Sequence, residues 1–385
     1  MQYHVTQGGK RTMKKGKILE KEEGLTILRL EGSPYEMGYQ HGEIFREEIN
    51  LFSSNAKKIV CQHEGNIVGQ ITFPIICQLA KKLGRLIPEQ FQQEIKGIAD
   101  GAKVDYNFLL LENLIEELSA IYHWYLRPLL PSFLKCSCFV VKDTDGIIWG
   151  RNLDYPFFTE TLPSLSVLYI YLPDQGFPFI SLGWPGNIGA VTGISRNLSL
   201  VLLSSPTKYR AFKGIPEEIL SRQIIQYSQD LEDALEKIIP GLVILGQNLV
   251  LISKNEARVV ELSILKKAIR SLQTQGCLTV TNHFQVQEIE EEQAVFFPKP
   301  KKTSIPDEFF TLEGSKKREE KLRRLCLSQA VEPKRAMEIL DQVATPGTVQ
   351  SVVALPQKEE FWVAKRTQPP VTKGEWMHFR IDDLL

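Results

Sequence analysis

Two hydrophobic periodicities divide the chain. An alternating stretch, LTILRLEG at residues 25–32, ends in Gly-Ser-Pro, and apolar positions then recur at helical spacing through residues 33–59. The same spacing returns in EQFQQEIKGIADGAK and in YNFLLLENLIEELSAIYHWYL, and it breaks at RPLLPSF. The first 130 residues therefore read as a helical layer. From Cys136 the period drops to two: CSCFVV and GIIWGRNLD flank DTDG (143–146), a turn with glycine where a positive φ is wanted, which predicts a β-hairpin. SVLYIYL, FPFISLGW, GAVTGIS and LSLVLLSS, separated by short turn sequences, predict an antiparallel meander.

Helical spacing returns over residues 216–239. The strands QNLVLISK, RVVELSI and CLTVTNHF follow, then a charged loop at 288–306, two helices over 315–328 and 333–343, and a closing strand pair, VQSVVALP and EFWVAKR. Helices, a double set of strands and helices again imply an α+β fold built in layers. There is no internal repeat and no low-complexity linker, so one folded unit is expected.

Composition narrows the function. In 385 residues, 43% hydrophobic content supplies a full core, and 46 basic against 46 acidic residues leave no net field to gather nucleic acid. Six cysteines are too few and too irregular for a disulfide framework, which favours a reducing compartment. The polar, basic N-terminus lacks a signal-like apolar segment, and no apolar run has membrane-spanning length, so a cytoplasmic protein is expected, with Met13 a candidate first residue.

The hairpin holds the candidate chemistry. A thiol with pKa near ~8.5 is mostly protonated at neutral pH, so Cys136 needs a base or a nearby positive charge to act as a nucleophile. His283, following Asn282 in TVTNHF, is one candidate base. The other is the cysteine's own α-amine, pKa about 7.7–8.0, once the bond between Lys135 and Cys136 is cut. The hairpin returns GRNLD alongside Cys136, where Arg151 favours a thiolate and Asp154 receives the new ammonium.

CSCFVVKDTDGIIWGRNLDYP resembles the segment Cys-(Ser/Thr)-x-Phe, Asp-Gly, Gly-Arg-Asn-x-Asp of N-terminal-nucleophile hydrolases acting on linear amides. These are the acyl-CoA:6-aminopenicillanic-acid acyltransferases with their C45 peptidase relatives, the choloylglycine hydrolases and the acid-ceramidase-like amidases. EGSPYEMGYQHG, TVTNHF, SKKREEKLRRL and the closing strand pair are similar, in order, to further segments of the acyltransferase-like branch. The resemblance implies the αββα four-layer sandwich. It implies Cys136 as nucleophile, Arg151 and Asp154 as its orienting pair, Asn282 as oxyanion-hole side chain and Arg318 as a brace on the late helix. It also implies cleavage between Lys135 and Cys136, with residues 1–27 a poorly ordered tail, 28–135 a helical pro-segment and 136–385 the catalytic core.

Lys135 stands where self-cleaving relatives usually have a small residue. Ser204 stands where the bile-salt hydrolases have an asparagine that serves the oxyanion, and His283 is placed at the substrate side. The implied partner is a small amide or acyl compound, no nucleic acid and no membrane span, and the chemistry requires no metal or organic cofactor. The loop 288–306 is the expected specificity lid. Two rivals stand beside this reading: an uncleaved thiol hydrolase that uses His283, and an inactive member that only binds.

Overall fold

The computed structural model describes residues 16–64, 66–125, 135–143, 146–156, 158–208, 211–272, 276–294 and 306–385. Strands β1 (Lys17–Glu22) and β2 (Leu25–Gly32) precede six helices: α1 (Pro34–Ile44), α2 (Arg46–Glu64), α3 (Asn66–Gly84), α4 (Glu89–Ala102), α5 (Tyr106–Asn113) and α6 (Ile115–Tyr125). The hairpin β3 (Lys135–Asp143) and β4 (Gly146–Asp154) leads to β5 (Val167–Pro173), β6 (Phe179–Gly183), β7 (Thr192–Ile194) and β8 (Ser199–Ser204). Helices α7 (Glu217–Tyr227) and α8 (Leu231–Lys237) come next, then β9 (Gln247–Ile252), β10 (Ala257–Leu262), β11 (Lys267–Ser271) and β12 (Gly276–Val280). The chain closes with α9 (Gln287–Glu290), α10 (Leu312–Leu327), α11 (Pro333–Val343), β13 (Thr348–Leu355), β14 (Glu360–Lys365), β15 (Glu375–Arg380) and α12 (Ile381–Leu384).

Among the described residues these strands form two sheets, ordered β1-β2-β5-β6-β7-β8-β9-β10-β11 and β12-β3-β4-β13-β14-β15. Neighbours are antiparallel except β2 and β5, which run parallel because the helical segment and the hairpin intervene between them. The fold is α+β, as the periodicity predicts.

Alternation along the hairpin sorts its side chains between two apolar clusters. Cys136, Cys138, Val140 and Trp149 join residues of the larger sheet such as Leu168, Leu200 and Val250. Phe139, Val141 and Ile148, one residue out of phase, pack instead with Leu322, Cys326, Ile339 and Leu340 of α10 and α11. The hairpin is thus buried on both faces, with the other sheet on one side and two helices on the other.

Four glycines set the helical segment. α1 begins with a capping box in which Ser33 and Glu36 satisfy each other's backbone, with Pro34 in the first turn. Gly38 and Gly42 of α1 then lie against Gly97 and Gly101 of α4. A Cβ at Gly38 would sit 2.0 Å from the Glu94 carbonyl oxygen, and one at Gly97 would sit 2.2 Å from that of Tyr35. The spacing of four in GYQHG is therefore a demand for backbone contact between two helices.

Several elements differ from the sequence reading. The tail expected over 1–27 is structured from residue 17, because β1 pairs antiparallel with β2 and caps the sheet edge; residues 1–15 lie outside the described residues. β11 and β15 are additional strands whose alternation is half-exposed or exposed, so no apolar run announces them. GAVTGIS contributes only the three residues of β7, and residues 216–239 split into α7 and α8. Much of the expected lid, residues 295–305, lies outside the described residues. No helix among the described residues is long and apolar enough to cross a membrane.

Substitution at the helix crossing tests its tightness. Gly97→Ala should lower unfolding free energy by about 1–3 kcal/mol, since backbone rather than a flexible side chain blocks the new methyl group. Exposed Glu89→Ala should change it by less than about 0.5 kcal/mol, read from urea midpoints.

Candidate active site

Cys136 is the second residue of β3, and the hairpin register places it opposite Leu153, with Lys135 opposite Asp154 and Cys138 opposite Arg151. Arg151 therefore reaches back on the diagonal: its Nη2 donates to Cys136 Sγ at 3.2 Å. Its Nη1 donates to the Val191 carbonyl at 2.9 Å and to the Thr192 hydroxyl, which ties the hairpin to β7 of the other sheet.

The backbone of Cys136 is held by a side chain. β12 pairs with β3 so that Val280 lies opposite Cys138, and two residues further on Asn282 comes level with Cys136. Asn282 Oδ1 accepts the Cys136 N–H at 3.0 Å and Arg318 Nη2 at 2.8 Å. Asn282 Nδ2 donates to the Ser204 carbonyl at 2.9 Å, and its backbone N–H donates to Ser315 Oγ at 3.0 Å. Ser315 and Arg318 share the buried stripe 315, 318, 322, 326 of α10, so one helical turn delivers both partners of Asn282. The Ser-x-x-Arg spacing is explained by that shared target.

His283 faces away from this grip. Its Nδ1 lies 3.0 Å from Thr281 Oγ1 and 2.9 Å from Ser315 Oγ, and burial, aided by Lys316 and Arg318, pushes its pKa down to about 4. Ser204 also differs from its expected part. Its hydroxyl donates to Glu217 Oε1 at 2.6 Å on the α7 side, so Ser204 meets the site through its carbonyl oxygen rather than through a donor. Cys138 is a buried thiol pushed up to about 12 by desolvation.

Asp154 accepts the Thr348 hydroxyl on Oδ1, while Oδ2 has no hydrogen-bond partner among the described residues. Burial outweighs Thr348, Arg318 and Arg151 and raises its pKa to about 6. Burial likewise raises the Cys136 thiol against the opposing pull of Arg151. In the intact chain the sulfur is therefore held as a thiol, with its hydrogen-bond donor already in place.

A group of carboxyls, absent from the sequence reading, borders the site. Glu116 and Glu117 open α6 and Glu217 opens α7, all three buried. Glu117 Oε1 accepts the backbone N–H of Glu217 at 2.7 Å. Burial raises Glu117, and burial together with the Glu117 charge raises Glu217. Their signal lies in the sequence: Glu117 sits between Leu114, Leu118 and Ile121 on one apolar helical stripe, where a charged residue is out of place. No group of three or more His, Cys, Asp or Glu among the described residues is placed to hold a metal ion.

A family model described as acyl-coenzyme A:6-aminopenicillanic acid acyl-transferase matches residues 141–347, more than half of the chain. The chain belongs to this acyl-transferase family. The match begins five residues after Cys136 and includes Arg151, Asp154, Asn282 and Arg318.

Curated relatives of this acyl-transferase family member include an uncharacterized protein of Archaeoglobus fulgidus, 28% identical over 261 residues, 60% of this chain and 43% of that one. The acyl-coenzyme A:6-aminopenicillanic-acid-acyltransferase 40 kDa form of Emericella nidulans is 26% identical over 272 residues, 66% and 68% of the two chains. The N-acylethanolamine-hydrolyzing acid amidase of Rattus norvegicus is 30% identical over 137 residues, 35% and 34%. The chain spans about half the length of the archaeal and slime-mould relatives it matches.

The carboxyl group has a pH signature. Glu117, raised in the folded state, keeps a proton that the unfolded chain loses above about 4.3. Its contribution to stability therefore falls as pH rises from 4.5 to about 7. Glu117→Gln keeps the acceptor and removes the titration, so it should gain about 1–3 kcal/mol on the wild type between pH 4.5 and 7.5, measured by urea unfolding at each pH. A His283 variant should show the opposite slope between pH 4 and 6.5, because that ring is held neutral when folded.

Proposed function

We propose that this protein is an N-terminal-nucleophile thiol enzyme that cleaves or transfers acyl groups from linear, non-peptide amides. Under this reading its two sheets with helices outside them form the αββα four-layer arrangement. The single observation that carries the proposal is the double grip on Cys136: Arg151 on its sulfur at 3.2 Å and Asn282 on its backbone nitrogen at 3.0 Å. A merely structural cysteine on a strand needs no guanidinium on its sulfur, and its buried N–H ordinarily pairs with a strand carbonyl rather than with a side-chain amide. An N-terminal nucleophile needs both, because its nitrogen becomes the base and its sulfur becomes the attacking atom.

Cleavage between Lys135 and Cys136 frees the α-amine. The nearby guanidiniums of Arg151 and Arg318 disfavour its protonation, so that at neutral pH it takes the thiol proton. Asp154 Oδ2 accepts from the resulting ammonium. The sulfur attacks the substrate carbonyl. An N–H of Asn282 Nδ2, with a backbone N–H, binds the oxyanion. The carbon–nitrogen bond breaks, the ammonium proton goes to the leaving amine, and the acyl group remains as a thioester on Cys136. Water as acceptor makes the enzyme a hydrolase, and an amine makes it a transferase. Names among its relatives include both an acid amidase and an acyltransferase, which supports an amide or acyl substrate.

The two pieces, 28–135 and 136–385, stay together after cleavage in this reading, because β2 of the first is paired along its length with β5 of the second. Intact mass is the first test. The wild type should split into a piece ending at Lys135 and one beginning at Cys136, while Cys136→Ala remains whole. A wild type that stays one chain and turns over no amide would overturn the proposal. Among the cleaved variants, Asn282→Ala should lower kcat about 10²–10³-fold as an oxyanion donor. His283→Ala should cost less than about tenfold, since its ring is engaged by Thr281 and Ser315; loss of all turnover there would return the base role to His283.

A further inference from the structure

The chain bends at Asn282 and His283, immediately past β12. Continued in the same register, the ladder between β12 and β3 would set Asn282 opposite Cys136, and the Cys136 N–H would meet a main-chain carbonyl. It meets the Asn282 side chain instead, while the Asn282 N–H turns to Ser315. The side-chain grip on the nucleophile therefore exists because the backbone leaves the sheet here, and that bend must be held.

Asn248, on β9 of the other sheet, holds it. Its side chain is fully buried, and Nδ2 donates to the Thr281 carbonyl at 3.1 Å and to the His283 carbonyl at 3.0 Å, the two on either side of Asn282. Alternate carbonyls of a straight strand stand about 6.7 Å apart, too far for both to reach one nitrogen at these distances. The contact thus selects the bent chain. Carbonyls only accept, so the amide nitrogen must face them; Ser205 Oγ, 2.8 Å from Nδ2, is the third group on that nitrogen. Ser205 follows Ser204, whose carbonyl accepts from Asn282 Nδ2. The two amides therefore stitch adjoining points of the larger sheet to the same bend.

Glu261 extends the stitch. It lies opposite Asn248 in the register of β9 and β10, and its Oε2 accepts the Gln285 and Val286 N–H groups at 2.9 and 3.0 Å. The Phe284 N–H goes to Gln293 Oε1 at 2.9 Å. At these positions the main chain takes side-chain partners in place of a ladder.

We propose that Asn248 is a positioning residue for acyl transfer: by fixing the carbonyls on both sides of Asn282, it aims the Asn282 amide at the Cys136 nitrogen and at the oxyanion. This rests on the thiol-enzyme reading above, in which Asn282 binds the oxyanion, and adds the residue that sets its angle. Without the Asn248 N–H groups the two buried carbonyls lose a donor, the bend relaxes, and Asn282 turns off its target. A displacement of about 1 Å in such a group costs up to about 10²-fold in rate.

The test uses p-nitrophenyl acetate, an activated ester that needs no acyl pocket, on the cleaved wild type and variants. Cys136 Sγ bonds to the acetyl carbon, p-nitrophenolate leaves, and the thiol proton passes to the α-amine. Nitrophenolate release per cleaved chain gives the rate, and peptide mapping places the acetyl group, with Cys136→Ala as the blank. Asn282→Ala should slow acetylation about 10²-fold. Asn248→Ala should slow it at least about tenfold, and Asn248→Asp, which keeps the shape and loses both N–H groups, should match it. Because Asn248 acts through Asn282, the double variant should stay within about threefold of Asn282→Ala alone, whereas independent effects would multiply to about 10³-fold. An Asn248→Ala rate within about twofold of the wild type, or effects that multiply, overturns the proposal. So does loss of a cooperative urea transition in both Asn248 variants, which marks a residue needed for folding alone. A wild type whose Cys136 takes no acetyl group, or an Asn282→Ala variant as fast as the wild type, overturns the oxyanion reading itself.

Discussion

The side-chain amide of Asn282 is the joint on which the site depends. One oxygen accepts the backbone of Cys136 and the guanidinium of Arg318, the nitrogen binds the Ser204 carbonyl, and the backbone N–H is taken by Ser315. These contacts pin β3, the end of β12, β8 and α10 to a single planar group. A buried amide in that position cannot rotate without leaving several polar atoms unpaired, at roughly 1–3 kcal/mol each. The donor and acceptor ends are thereby assigned, with the oxygen toward the Cys136 nitrogen and the nitrogen toward the Ser204 carbonyl. Arg151 does the same for the sulfur, and because it is also bound to β7 it fixes the spacing between the sheets at the point where the chemistry would occur.

The helical segment serves this joint from a distance. α1 and α4 touch through backbone at Gly38, Gly42, Gly97 and Gly101, and that closeness sets where His41 projects. His41 Nε2 accepts the Gly186 N–H at 2.9 Å and lies 3.0 Å from the Tyr169 hydroxyl. Burial and the Arg222 charge depress its pKa to about 3, so the ring stays neutral and keeps its acceptor. The turn it holds leads on to Val191 and Thr192, which accept from Arg151 beside the Cys136 sulfur. A glycine spacing in the first helix thus reaches the nucleophile through one histidine and one turn.

What could be read in the sequence follows from how each residue is placed. Arg151 and Asn282 lie on strands that run beside Cys136, and strand register is arithmetic once the turns are known. Arg318 follows from helical arithmetic with Ser315. Ser204 shows the limit of that arithmetic. Period two says which residues share a face, but the hydroxyl turned to Glu217, a partner on a helix with no fixed sequence relation to β8. The carboxyl group was half legible: Glu117 is out of place on its apolar helical stripe, but its meeting with Glu217 comes only through packing. β11 and β15 escaped because a strand without a buried face leaves no alternation to read.

Burial also explains why the intact chain can carry these groups. In this space desolvation drives each titratable group toward its neutral form: the Cys136 thiol, Asp154, Glu117 and Glu217 upward, His283 and Lys135 downward. A fully ionised version would place several unpaired charges out of water, which no domain of ordinary stability could bear.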